Sequence, residues 1–370
     1  MELFVPALFT APTSSMLLLT LALSLAAPVQ AADFMQEYKA YKAAIEKDDT
    51  KAALSHARNA YQLGATKYGT NSLNYANLGI NLADALISAR QAKGTRNAKK
   101  HKEAHALYLS SLSIYEKEYG TKAAELISPL LSAADSTKDD KKANELSLRA
   151  LKIAEASNDP LMLAQTQIQA FVRLVNTKFY TTKMISHLRD AYEYYVKHSP
   201  ADSIERLEAT FLMANLHAGN KHQDEAEELF LEVIKQFKSL NYSHPYALGS
   251  HARLVSLYQE LGEADKATEH CVVIGQMRPW SDSQQQIPLY RSEPHYPTLS
   301  GIRGVEGYTI IDFAVNEQGM VVDPKVLSSK GGKGFETASL NAVTNWRYAP
   351  KFENGKPVTT RTKVQMNFKM

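Results

Sequence analysis

A repeat constrains this chain more than any other feature of its 370 residues. Aligning His101-Lys102-Glu103-Ala104, Lys141-Lys142-Ala143, Ile185-Ser186-His187-Leu188, Asp224-Glu225-Ala226 and Lys266-Ala267 sets anchors at Ala104, Ala143, Ile185, Ala226 and Ala267, spaced 39, 42, 41 and 41 residues. A second series, Leu174, Leu216 and Leu257, is spaced 42 and 41 and runs ahead of the first. Each anchor lies in an amphipathic stretch such as Leu207–Leu216, so two helices recur per repeat. One helix pair of this size cannot bury its own apolar face, and stacking neighbours into a curved solenoid is the economical solution. Small alanines at the anchors let helices approach closely. Prolines fall at segment junctions, Pro129, Pro160, Pro200 and Pro245, where a helix begins or has ended.

The pattern Glu225-Ala226-Glu227-Glu228-Leu229-Phe230 resembles the second helix of a tetratricopeptide (TPR) repeat. About six units are expected over residues 32–277, of the longer variety with a period near forty rather than about 34. From Ala53 to Ala104 the gap widens to 51, and Gln91–Lys100 reads as a solvated polar insertion.

The character changes at Arg278. Residues 278–293 carry prolines and no helical period, and are expected to be a linker. Strand chemistry follows: Thr309, Ile311, Phe313 and Val315 alternate onto one face, Asn316–Gly319 turns the chain, and Val321–Ser328 returns with Pro324 marking an edge or a bulge. Phe335, Ala338, Ala342 and Trp346 form a helical stripe. Asn354-Gly355 marks a tight turn, and Thr362, Val364, Met366 and Phe368 alternate with Lys363, Gln365, Asn367 and Lys369 in a last half-buried strand. The order is β-β-α-β.

Residues 294–370, with Pro294-His295-Tyr296-Pro297, Gly304-Val305-Glu306-Gly307, Phe313, Gly319, Phe335-Glu336, Trp346-Arg347-Tyr348-Ala349-Pro350 and Gly355-Lys356-Pro357-Val358, resemble the carboxy-terminal domain of TonB. The expected fold is therefore mainly α, a TPR-like α-solenoid followed by a small α+β domain. Tyr296, Pro297, Gly307, Gly319, Trp346, Arg347, Tyr348 and Pro350 are read as its structural motif. The resemblance implies a domain that binds an extended segment of an outer-membrane TonB-dependent receptor, or another envelope protein, as an added strand. The pairing edge would be Thr359, Thr360, Arg361, Thr362, Lys363, Val364, Gln365, Met366, Asn367 and Phe368. The repeat groove is expected to take peptide segments. Two functions follow: a TonB-like transducer or accessory of outer-membrane transport, or a non-energised periplasmic scaffold for envelope protein assembly. The chain lacks TonB's long proline-rich tract and a histidine in its apolar leader, the handles through which a motor of ExbB and ExbD would drive it.

Location rests on the leader. Residues 1–31 carry one charge, Glu2, an apolar run from Met16 to Ala27 and the small-residue pattern Val29-Gln30-Ala31, as in a signal peptide cleaved after Ala31. The expected location is the periplasm. An uncleaved leader would instead anchor the protein in the inner membrane, facing the periplasm.

Other chemistry finds little footing. A net charge of +3 and no basic–aromatic groove argue against nucleic acid. From Pro288 onward 11 lysines and arginines face 7 acidic residues, which gathers the positive excess in the terminal domain. A lone Cys271 permits no internal disulfide and reads as a buried side chain. Gly331–Gly334 lacks the spacing of a phosphate loop, and no Gly-x-Ser-x-Gly occurs. His101 and His105 share a helix face but not a metalloprotease pattern, and Glu225, Glu227 and Glu228 read as a solvated face. No enzyme activity, cofactor or metal is expected.

Overall fold

The computed structural model describes residues 29–91, 98–237, 244–277 and 287–369. The leader up to residue 28 and most of the polar insertion, residues 92–97, lie outside the described residues. Among the described residues no helix is long and apolar enough to cross a membrane. The chain divides into two compact units, Met1–His198 and Ser199–Met370.

Among its described residues the first unit holds eight α-helices: α1 (Val29–Glu46), α2 (Thr50–Tyr68), α3 (Leu73–Gln91), α4 (Ala98–Tyr119), α5 (Ile127–Ser136), α6 (Asp140–Ala156), α7 (Pro160–Leu174) and α8 (Thr182–His198). They pair as hairpins, α1 with α2, α3 with α4, α5 with α6 and α7 with α8, and each hairpin packs on the next. Helix starts are written locally. Asp49, Asp139 and Asp159 accept backbone N–H groups of α2, α6 and α7, and Pro160 opens α7 where no intrahelical donor is needed. Ala104 and Ala143 are fully buried, as the anchor pattern requires. In α8 the anchor moves by one residue: Met184, Leu188 and Ala191 are buried, and Ile185 is only half-buried.

The second unit begins with two more hairpins, α9 (Ile204–Gly219) with α10 (Gln223–Phe237) and α11 (Pro245–Leu261) with α12 (Ala264–Met277). Ala226 and Ala267 are again fully buried. Phe211 and Phe230 meet edge-on at 5.9 Å between α9 and α10. Each such buried ring contributes about 1.5–3 kcal/mol.

The chain then builds a short helix, α13 (Thr298–Ile302), strands β1 (Gly307–Val315) and β2 (Val321–Lys330), α14 (Lys333–Val343), and strands β3 (Lys351–Glu353), β4 (Lys356–Val358) and β5 (Thr360–Phe368). The antiparallel sheet runs β2-β1-β5, with α14 against β1 and β2. Mainly helical TPR-like repeats followed by a small α+β domain is thus the fold the chain adopts. One element exceeds the expected β-β-α-β order. The Asn354-Gly355 turn belongs to a separate two-stranded hairpin, β3–β4, with both turn residues at positive φ.

Residues 289–293, expected within a linker, are held in place. Leu289 and Tyr290 pack with Val255, Cys271, Ile274 and Ala349, so α11, α12 and the terminal domain share an apolar cluster. Tyr290 and Arg347 exchange backbone hydrogen bonds, and the Trp346 indole donates to the Ser292 carbonyl at 2.8 Å. Residues 278–286 of that span lie outside the described residues.

Candidate functional site: an open sheet edge

The site begins with a glycine. A Cβ on Gly307 would lie 1.8 Å from the Lys330 carbonyl oxygen and 3.0 Å from the Phe335 ring, so only glycine lets β1 start this close to β2 and α14. Beside it Phe335 stacks on Phe368 at 4.3 Å, and Tyr296 meets both rings edge-on at 5.5 and 5.7 Å. The Tyr296 hydroxyl donates to the Val305 carbonyl at 2.8 Å. Pro297 caps α13 and would touch a Cβ on Gly334. This cluster fixes the end of β5 against the start of β1.

At the other end of β1, Gly319 turns the β1–β2 hairpin at φ +77°, and its carbonyl accepts the Tyr348 N–H at 2.9 Å. Trp346 and Tyr348 lie in the core with Phe313. Burial pushes the Tyr348 hydroxyl well above its ordinary pKa. Arg347 is buried, and its backbone bridges Tyr290 and Met320. The Pro350 carbonyl abuts Gly275 of α12. Every predicted motif residue therefore has a packing or turn role.

The three strands present two outer edges of different quality. Between β1 and β2 the register slips twice, once across Asp323-Pro324 and once beside Leu327, and Asp323 sits at φ +51°. Between β1 and β5 nine pairs run without a slip, from Gly307 with Phe368 to Val315 with Thr360. Among the described residues no strand pairs with the far side of β5. The expected edge residues thus fall on one straight outer strand, except Thr359, which stands in the one-residue junction between β4 and β5. The Thr359 hydroxyl donates to Glu317 at 2.6 Å, and this bond holds the Glu317 carboxyl below its ordinary pKa.

Side chains alternate across β5 as the sequence predicts. Met366 and Phe368 are buried, Thr362 and Val364 half-buried, and Arg361, Lys363, Gln365 and Asn367 exposed. The exposed face carries a charge cluster that sequence reading missed. Arg361 binds Asp312 through two nitrogens and Asp323 at 3.2 Å, and Lys325 reaches Asp323 at 3.0 Å. Hydrogen bonds from Lys325 and Arg361 hold the Asp323 carboxyl below its ordinary pKa. Such exposed pairs stabilise little, yet they tie the two outer strands across β1. The alternation marks Arg361 and Asp312 as exposed, but only the register brings them together.

Two earlier readings also find their places. Cys271 is fully buried, and burial pushes its thiol up to about 12. His105 Nδ1 lies 3.0 Å from the Ser136 hydroxyl, in a half-buried setting that lowers its pKa.

A three-stranded antiparallel sheet with one helix on it and one unbroken outer strand, carried on TPR-like hairpins, is the class the structure defines. Residues 292–370 match the family model of the Gram-negative bacterial TonB protein C-terminal. Protein TonB of Vibrio cholerae is 30% identical over 78 residues, 21% of this chain and 32% of that protein. Protein TonB of Pseudomonas aeruginosa is 30% identical over 83 residues, 22% of this chain and 24% of that protein. The solution structure of the Pseudomonas aeruginosa TonB CTD is 28% identical and covers 24% of this chain and 90% of that one, at a TM-score of 0.22. The chain thus spans a third or less of the length of the curated relatives it matches.

Proposed function

We propose that the protein is a TonB-like envelope protein that binds an extended segment of an outer-membrane receptor by adding it to β5. The observation that carries this reading is the unbroken nine-pair register of β5 on β1, with no strand on its far side among the described residues. A regular edge offers an incoming strand backbone N–H and C=O groups at every second residue, and main-chain pairing tolerates varied peptide sequences. The β2 edge serves poorly, because its bulges and Pro324 interrupt the ladder. The positive excess of the terminal domain favours an acidic partner. In this reading the protein acts in the periplasm, with the repeats as a second peptide-binding surface and no catalytic step.

A second reading, a non-energised scaffold for envelope assembly, draws on the cluster shared by Ala349, Cys271 and Ile274, which seats the terminal domain on α11 and α12 rather than on a long tether.

The test is a scan of β5 against a synthetic peptide from the periplasm-facing segment of an outer-membrane transporter. Gln365→Ala and Asn367→Ala should change affinity less than about threefold, since their side chains only tune the contact. Proline at positions whose N–H faces outward should cost about tenfold or more, because it removes a donor and blocks the ladder. Single cysteines along 361–369 should crosslink to the peptide in one register, and Cys271 can stay because it is buried. Crosslinks confined to the repeats, with proline in β5 without effect and circular dichroism unchanged, would refute strand addition.

A further inference from the structure

We propose that the turn joining α9 to α10 binds a divalent transition metal of the zinc class through His217, His222 and Glu225. One ligand atom from each side chain, two imidazole nitrogens and a carboxylate oxygen, lies within 4.8 Å of the other two. Tetrahedral ligands at about 2.0–2.2 Å from one ion stand about 3.3–3.6 Å apart, so side-chain rotations that draw the three atoms together by about an ångström close the site. His222 and Glu225 are exposed and can make them.

The backbone prepares this meeting. The His222 N–H donates to the His217 carbonyl at 3.0 Å, and the Asn220 N–H donates to the Leu216 carbonyl at 3.1 Å. Lys221 adopts φ +64°, which reverses the chain sharply. The Ala226 N–H then donates to the His222 carbonyl at 3.1 Å and starts α10, with Glu225 in its first turn.

The next hairpin shows what this frame does. Shifted by 41 residues, Lys221 becomes Gly262 at φ +79°, and the His222–His217 bond becomes Glu263 N–H to the Tyr258 carbonyl at 2.8 Å. His217, His222 and Glu225 become Tyr258, Glu263 and Lys266. These three side chains do converge: the Lys266 ammonium lies 2.6 Å from the Glu263 carboxylate and 4.9 Å from the Tyr258 ring centre. There the frame closes around a cation supplied by the chain itself. In the preceding hairpin the same three positions carry metal-ligand side chains, and none of the three is a lysine or arginine.

A second observation is independent of that comparison. His217 Nδ1 is shielded from solvent and has no hydrogen-bond partner among the described residues. The His217 and His222 rings stand 5.7 Å apart, tilted by 44°. A metal ion held through Nδ1 would satisfy the buried nitrogen. Two imidazoles with one carboxylate select zinc and its neighbours over calcium or magnesium, which take oxygen ligands. Three protein ligands leave a coordination position for water, and the bound ion would pin the end of α9 to the start of α10.

The experiment is calorimetric titration of zinc chloride into chelator-treated, untagged full-length protein. The expected result is one saturable equivalent, with affinity lowered at least about tenfold by His222→Ala or by His217→Ala, since even a residue that merely orients a ligand is worth that much. His222→Cys should restore binding, because a thiolate replaces the imidazole. Cobalt loading should give visible absorption bands of a four-coordinate site that His222→Ala abolishes. His101→Ala should leave binding unchanged. Should His217→Ala fold poorly, the exposed His222 carries the test alone. Absence of saturable binding, or equal zinc affinity in wild type and in the triple variant His217→Ala, His222→Ala, Glu225→Gln, would overturn the proposal.

Discussion

Two glycines of the terminal domain share a backbone conformation and differ in what surrounds them. Gly319 sits at φ +77° and Gly355 at φ +75°. Around Gly355 nothing lies within 4 Å of a built Cβ, whereas at Gly319 that atom would stand 2.0 Å from the Tyr348 carbonyl oxygen and 3.2 Å from Cys271 Cβ. Neither backbone can retreat cheaply, because the Tyr348 N–H donates to the Gly319 carbonyl at 2.9 Å and the Gly319 N–H to the Asn316 carbonyl at 2.9 Å. Alanine in the left-handed region costs about 1–2 kcal/mol, offset by about 0.4–1 kcal/mol because the unfolded chain loses freedom. Gly355→Ala should therefore destabilise by about 1 kcal/mol or less. Gly319→Ala adds an overpacking cost of about 1–3 kcal/mol, for a total of about 1–4 kcal/mol. Urea unfolding in a Trp280→Phe background reads this directly, since Trp346 then remains the sole tryptophan and lies in the core of the terminal domain. With a urea slope of about 1–3 kcal/mol per molar, the two midpoints should separate by roughly 1 M. Equal losses at the two glycines would refute the close approach and leave backbone conformation as the only cost.

His251 supplies a pH dependence: burial, then the charge of His270, whose Nδ1 lies 2.7 Å away, lowers its pKa from 6.5 to about 4. The proton binds the unfolded chain better, so this contribution is complete above about pH 6.5 and is lost as pH falls toward 4, by about 2 kcal/mol at pH 5. Urea midpoints at pH 7 and pH 5 should show the loss in wild type and a smaller one in His251→Asn; an identical pH slope in both would refute it. The apolar cluster under Ala349 predicts that a protease site engineered into residues 278–286 yields, after cleavage, two pieces that co-elute on size exclusion. Ala349→Asp, which buries a charge among Val255, Cys271 and Ile274, should separate them, and pieces that part without that substitution would show the cluster to be weak.

Local regularities were legible because burial has a period along the chain. A helix face returns every three or four residues and a strand face every second one, so the six hairpins and the alternation of β1 and β5 could be read directly. In α8 that reading slipped by one position, since Met184 and Ile185 are both apolar and only packing decides which turns inward. The β3–β4 hairpin shows in the sequence as a turn alone. Three residues per strand are too few to display a period, and Asn354-Gly355 carried the only strong signal.

The sequence by itself determined the helical repeat, the strand domain at its end, and the residues that terminate elements or permit close approach, such as Gly307 and Gly319. These depend on the chemistry of a residue and its near neighbours. Tertiary structure alone decided that the compact units part at His198 and Ser199, that Leu289 and Ala349 join α11 and α12 in one cluster, and that β5 is the outer strand with an unbroken register. It also decided that His217, His222 and Glu225 meet across a turn, which the 41-residue offset to Tyr258, Glu263 and Lys266 encodes only once the geometry of one hairpin is known. Such facts depend on which distant segments dock and in what register. Local propensity does not specify that docking; the packing of many side chains at once does.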